Sequence, residues 1–231
     1  QTIFTTGSLR DIAAVFNRNP SLFKEKVERF YINAGHYGDT VKMGLAKDFI
    51  EYNVAIDKYA FLTIMRSGLP IYWCPCFGEE YGTFWSFLQK EVLEVLPLSM
   101  QNYFFFALTK PKGMDPINIL SMQLDSTKKK SIWGIKRNMW CTAPFIHAAG
   151  RKIYKLSDGR YAALAQVPQN GEEIRLFEFV PAFISVDNNC RIKVSFDKNK
   201  ANMYVFHILN KAEYAKILTS CLKELLVALD R

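Results

Sequence analysis

Between Ile3 and Pro75 the hydrophobic period of the chain switches repeatedly between two and about 3.6. This alternation constrains the fold more than any other feature. IFTTG reads as the end of a β-strand. SLRDIAAVFNRNP then places Leu9, Ile12, Ala13 and Phe16 at helical spacing behind Ser8, a residue type that caps helices. A second short amphipathic segment, SLFKEKV, precedes RFYINAG, a strand of aromatic and β-branched residues that ends at Gly35. After a polar loop through His36, Tyr37, Gly38 and Asp39, residues Asp57 to Arg66 read as a helix and LPIYWCP as the next strand. Strands that follow one another through single short helices are parallel neighbours, because a parallel pair needs a crossover. The predicted fold class is therefore α/β, a mostly parallel central sheet flanked by helices.

In such sheets ligands bind beyond the carboxyl ends of the strands. Thr6 with Gly7, Asn33 with the loop after it, and Pro75 to Gly78 all fall at predicted strand ends, so they are expected to share one rim. Glu51 and Asn53 lie in the loop that returns from that rim.

Beyond Phe77 the pattern changes. EEYGTFWSFLQKEVLEVLPLSMQNYFFFALTK reads as mainly helical, with Phe84, Phe87, Val92 and Leu93 on one side and a break at Pro97. RNMWCTAPFIHAAGRK is predicted to be another helix. From Lys152 the chain turns to β: RKIYKL, RYAALAQV, IRLFEFVPAFISV, RIKVSF and MYVFHIL are separated by turn residues at Asp158-Gly159, Asn170-Gly171 and Asp187-Asn188-Asn189. A long amphipathic helix, AEYAKILTSCLKELLVAL, closes the pattern. No internal repeat or low-complexity linker is present. The expectation is one domain over residues 1–231, with residues 152–207 as a β-rich elaboration within it.

Composition narrows the function classes. With 231 residues and 49% hydrophobic content the chain can bury a sizeable core. No apolar run approaches the roughly 20 residues of a membrane helix, so a soluble chain with no membrane partner is expected. It opens at Gln1 with neither an initiator Met nor a charged-then-apolar stretch, and its compartment stays open. The formal charge of +8 is spread along the chain. Its one dense run, Lys128 to Lys130 followed by Lys136 and Arg137, has no interleaved aromatic or glycine platform, so it reads as a solvated loop and nucleic acid is not an expected partner. Five cysteines without framework spacing exclude a disulfide scaffold. Cys74 and Cys76, even with Cys141 and His147, lack the spacing of a zinc site and read as buried thiols.

TTGSLRDIAAVFNRNPSLFKEKVERFYINAG followed by EYNVAIDKYAFLTIMRSGLPI resembles the inosine-uridine-type nucleoside hydrolases. That family shows a Thr-Gly-x-Leu helix start, a strand ending in Met-Gly-Gly, and a Glu-Phe-Asn followed by an acidic helix start, in the same order and at similar spacing. The resemblance spans roughly Ile3 to Pro75, with weaker support from FEFVPAFISVD and the terminal helix. It implies hydrolysis of the N-glycosidic bond of a ribonucleoside or related N-riboside. Glu51 and Asn53 then match the Glu-x-Asn that holds ribose hydroxyls, and the backbone carbonyl of Thr6 matches a ligand of Ca²⁺. Asn33 takes the rim position where the family has Met. A carboxylate and a carboxamide suit a furanose, since together they supply directed acceptors and a donor.

Two departures go with the match. The Asp-rich loop that supplies most calcium carboxylates and the catalytic base in the family does not occur in this sequence. Ca²⁺ takes about six to eight oxygen ligands, which a lone Thr6 carbonyl does not provide. A missing N-terminal segment or a partner chain is expected to supply that loop and to cover a sheet edge at Ile3 and Phe4. Where family members carry a His-Asp or Trp-Asp pair, this chain has Trp140 and Cys141, and a soft thiol is a poor calcium ligand. Trp140 is a candidate for stacking on the base, and His147, further along the same segment, is a candidate acid. The alternative reading is a sugar- or nucleoside-binding pseudoenzyme with a degenerate metal site.

Overall fold

The computed structural model describes residues 1–229. From the N terminus the chain runs β1 (Thr2–Thr5), α1 (Arg10–Arg18), α2 (Pro20–Lys26), β2 (Arg29–Asn33), α3 (Tyr52–Ile56), α4 (Lys58–Met65) and β3 (Ile71–Cys74). It continues with β4 (Trp85–Leu88), α5 (Gln89–Leu93), α6 (Leu98–Thr109), α7 (Ser126–Trp133), β5 (Lys136–Met139) and α8 (Thr142–Ala148). The remainder is β6 (Lys152–Lys155), β7 (Tyr161–Leu164), β8 (Glu172–Ile174), β9 (Phe177–Val186), β10 (Ile192–Ser195), β11 (Met203–Ile208) and α9 (Lys211–Ala228).

These elements form two compact units. The first comprises Gln1–Phe84, Trp140–Gly150 and Arg175–Lys211, and it contains a six-stranded sheet in the order β1-β2-β3-β11-β9-β10. The first four strands are parallel neighbours; β9 runs antiparallel to β11, and β10 antiparallel to β9. The central strands are apolar on both faces, as parallel strands covered by helices must be. Phe30, Tyr31 and Ile32 of β2 are fully buried, as are Ile71 and Trp73 of β3. Between β11 and the edge strand β10, β9 instead alternates, burying Ala182, Ile184 and Val186 while exposing Phe183. One row of aromatic rings crosses the four parallel strands: Phe4, Tyr31, Tyr72 and Tyr204 are register partners, with successive ring centroids 5.3, 4.9 and 4.8 Å apart.

Helix α1 turns Ala13 and Phe16 into the core, together with Leu9. Its N-cap is Leu9, one residue beyond the capping position expected from the sequence, and Ser8 Oγ accepts from the Arg10 N–H instead. Asp57 caps α4 by accepting from the Ala60 N–H, and the Arg10 guanidinium beside it helps hold its carboxyl below the usual range, after that backbone bond.

The second unit comprises Trp85–Met139, Arg151–Ile174 and the described residues from Ala212 on. Here two helical expectations give way to strands. Residues Trp85 to Leu88 pair antiparallel with Lys136 to Met139 as a two-stranded ribbon, because Trp85 and Phe87 bury one face at a period of two. The helix expected from Arg137 onward therefore begins only at Thr142. A β7-β6-β8 sheet is joined to α9 by Ser220, whose hydroxyl bonds the backbone of Tyr161 in both directions, and by Arg160 to Glu224 at 2.6 Å. Asn102 of α6, fully buried, donates to the carbonyls of Ile119 and Met122 and so ties down the short 3₁₀ turn Asn118–Ser121. The stretch 152–207 thus contributes strands to two different sheets. Among the described residues no helix is long and apolar enough to cross a membrane.

Candidate functional site

The carboxyl ends of β2 and β3 bring Asn33, Glu51, Asn53 and Cys141 together. Asn33 closes β2, and its carboxamide donates to the Cys74 carbonyl at 3.0 Å and to Thr83 Oγ1 at 3.1 Å. Its Oδ1 accepts from the Cys141 thiol at 3.0 Å, and its backbone carbonyl accepts from Asn53 Nδ2 at 2.9 Å. Asn33 is thereby a tie between two strands and the start of α8, with both ends of its side chain engaged.

Glu51 is buried, with only 4% of its surface exposed. It caps α3, a single-turn helix too short to show a helical period in the sequence. One carboxylate oxygen accepts from the Asn53 N–H at 3.0 Å; the other accepts from the Gly35 N–H at 2.8 Å and the Val54 N–H at 3.3 Å. The side chain therefore fastens the loop leaving β2 to the start of α3, a charge-assisted arrangement at a helix N-terminus.

Beside Glu51 lies a cavity of about 570 Å³. One wall is the loop from Gly35 to Ile50, which supplies His36, Asp39, Thr40, Lys47 and Asp48; the other is the β9–β10 turn around Asn189 and Arg191. Burial pushes the His36 imidazole below its ordinary pKa, against the opposing pull of Glu51, so the ring is held neutral and can both donate and accept. His36 packs edge-on against Phe49, which in turn meets Phe77. Asp39 Oδ1 accepts from the Val41 N–H and shapes the loop.

Of the residues singled out in the sequence, Glu51 lines this cavity. Asn33 joins Asn53 and Cys141 by hydrogen bonds; the strand-end rule groups Asn33 with Asn53 but does not include Cys141. Trp140 packs against Phe84 and Phe77, with centroids 5.6 and 6.3 Å away, and its indole N–H is buried without a partner among the described residues. His147 sits on the sheet face, where its Nδ1 meets the Tyr31 hydroxyl at 2.7 Å between the rings of Tyr72 and Phe179. Burial, and secondarily Arg29, lowers its pKa. Thr6 is exposed in the β1–α1 connection. The cavity's other wall, Asn189 to Ile192, carried a turn signal at Asn189 and the start of a predicted strand at Arg191, but nothing that pointed to a site.

The five cysteines are free. Burial raises the thiol pKa of all five, with Cys141 pushed up to about 11 and Cys221 to about 12; for Cys76 the Glu51 carboxylate adds to the effect. Among the described residues no group of three His, Cys, Asp or Glu is placed to hold a metal ion. With Thr6 away from any carboxylate cluster, the described residues do not fit the calcium shell that the sequence resemblance implies.

No family model matches the sequence, and no curated protein does. Among solved structures the chain is similar to a purine-preferring ribonucleoside hydrolase from Gardnerella vaginalis, at 12% identity and a TM-score of 0.48, over 98% of this chain and 61% of that one. It is also similar to an inosine-uridine preferring nucleoside hydrolase from Bacillus anthracis, at 13% identity and a TM-score of 0.38, over 97% and 60% respectively. The chain thus spans about three fifths of the length of these two proteins. At these scores neither likeness assigns a family.

Proposed function

We propose that the chain binds a small polar ligand of the ribonucleoside class in the cavity at the carboxyl end of β2, as part of a nucleoside-hydrolase-like protein. The observation that carries this reading is the cavity itself. Its 570 Å³ falls in the range of about 300–1,000 Å³ usual for small-molecule sites, and it lies where an α/β sheet places its ligands. Its lining alternates donors and acceptors suited to sugar hydroxyls, among them neutral His36, Thr40, Asp48 and Lys47. Phe49 offers an apolar surface for a base. In this reading Glu51 and Asn53 act by holding the wall in place, since Glu51 is committed to three backbone N–H groups and Asn53 to the Asn33 carbonyl.

Hydrolysis of the N-ribosyl bond belongs to a second reading, favoured by the edge position of β1 in the sheet. An Asp-rich segment or partner chain pairing along that edge would bring the carboxylates that Ca²⁺ requires. Calorimetric titration with inosine, uridine, ribose and adenine, with and without Ca²⁺, tests both. Saturable binding of a riboside that is lost in His36→Leu is the expected result. Absence of riboside binding at millimolar concentration overturns the proposal, and calcium-dependent release of ribose that appears only when an Asp-rich segment or partner chain is supplied supports the second reading over the first.

A further inference from the structure

The second unit holds a cavity unrelated to the strand-end site. It has a volume of about 360 Å³ and lies among β4, α5, α6, β5 and α9. Phe87, Tyr103, Phe104, Leu108, Leu222 and Leu226 form its apolar walls. Two polar groups stand among them. Arg137 is the register partner of Phe87 across the β4–β5 ribbon, so both point from the same face, and Met139 follows two residues along. Gln89, at the start of α5, is only 3% exposed and lines the same space.

Neither polar group is satisfied by the protein. Among the described residues the Gln89 carboxamide makes no hydrogen bond; only its backbone N–H is used, donating to the Ile135 carbonyl. Gln89 is mostly buried, yet its carboxamide keeps some contact with solvent, so a ligand in the cavity it lines can bond it in place of water. Arg137 is solvent-exposed, and among the described residues it forms no ion pair. Nearby acids are otherwise engaged: Glu91 accepts from the Leu88 N–H at the start of α5, and Glu94 pairs with Lys90. The cavity therefore presents apolar walls with one cation and one free amide.

We propose that this cavity binds a small organic acid with an apolar body, its carboxylate paired with the Arg137 guanidinium and hydrogen-bonded by Gln89. A planar guanidinium matches a carboxylate in two parallel hydrogen bonds, and the amide NH₂ supplies a further donor. The walls accommodate an aliphatic chain or a single aromatic ring, since the volume is at the small end of ligand sites. A neutral molecule of the same shape would fill the walls but leave the guanidinium unpaired, and an apolar cation would be repelled.

Calorimetry on the 231-residue chain with decanoate and decylammonium below their micelle concentrations, and decanol below its solubility limit, tests the assignment. The expected result is one decanoate site, binding at least tenfold tighter than decanol, with decylammonium weakest. In Arg137→Met, an exposed position whose substitution leaves the fold intact by circular dichroism, decanoate affinity falls by tenfold or more while decanol affinity is unchanged. Ala107→Phe, on the exposed face of α6 at the cavity, weakens both ligands. Equal affinity for decanoate and decanol, an unchanged decanoate affinity in Arg137→Met, or no binding of either ligand overturns the proposal.

Discussion

Glu51→Ala is the substitution that most directly probes how the strand-end site is built. It removes the acceptor of three backbone N–H groups at once, those of Gly35, Asn53 and Val54 at 2.8, 3.0 and 3.3 Å. Loss of a helix cap costs about 1 kcal/mol. Leaving the buried Gly35 N–H without a partner adds about 1–3 kcal/mol, for a total of roughly 2–4 kcal/mol. Glu51→Gln keeps the volume and one oxygen, but turns an NH₂ toward a backbone donor; its expected cost is about 1–2 kcal/mol. Urea unfolding followed by circular dichroism reads both as a lower midpoint at constant slope. With slopes of about 1–3 kcal/mol per molar urea, the alanine midpoint drops by roughly 0.7–4 M. A change within about 0.5 kcal/mol for Glu51→Ala, the range of an exposed position, would refute the capping role. The side chain would then be available to a ligand, and loss of riboside binding at unchanged stability would be its signature.

Two further outcomes follow from the geometry. Gly78 has a φ of +142°, and a Cβ placed there would lie 2.6 Å from the Tyr37 carbonyl oxygen, so Gly78→Ala should cost about 2 kcal/mol or more in thermal unfolding; Gly44→Ala, at φ +73° with open space around it, should cost only about 1 kcal/mol. Equal effects at the two positions would show that contact with Tyr37 is not what requires glycine. Cys141 has a folded-state pKa raised from 9.0 to about 11, so the neutral thiol is favoured in the fold; its contribution to stability is full below pH 9 and is lost as pH rises from 9 toward 11. Iodoacetamide labelling of Cys141 should accordingly be slow at pH 8 and accelerate above pH 10, and labelling at pH 8 as fast as in denaturant would contradict it.

The first half of the sheet was legible because each element is announced locally. Phe30 to Ile32 carry the run of a doubly covered strand, and Leu9, Ala13 and Phe16 carry a helical stripe. The order in which β11, β9 and β10 return beside β3 was not legible, since pairing between strands far apart in the chain leaves no local pattern. Phe87 fits two periods at once: with Phe84 it mimics a helical face, yet its burial together with Trp85 follows a strand. At the site, the grouping of Asn33 with Glu51 and Asn53 came from the strand-end rule. What these side chains bond to did not, because Glu51 capping a one-turn helix and Cys141 donating to Asn33 depend on three-dimensional neighbours. For His147 the sequence offered no partner, and the fold supplies the Tyr31 hydroxyl from a strand more than a hundred residues earlier.

The aromatic row across the parallel strands bears on how the chain emerges during synthesis. Phe4, Tyr31 and Tyr72 are made early and can stack as soon as β1, β2 and β3 have left the ribosome. Tyr204 follows Tyr72 by about 130 residues, which at roughly 5–20 residues per second is a delay of about 6–26 s. Throughout that interval β3 presents an open edge with an aromatic ring waiting on it, the kind of edge that recruits foreign strands. Production of this protein should therefore be sensitive to elongation rate and to chaperones that shield nascent sheets, with the vulnerable window closing when β11 docks.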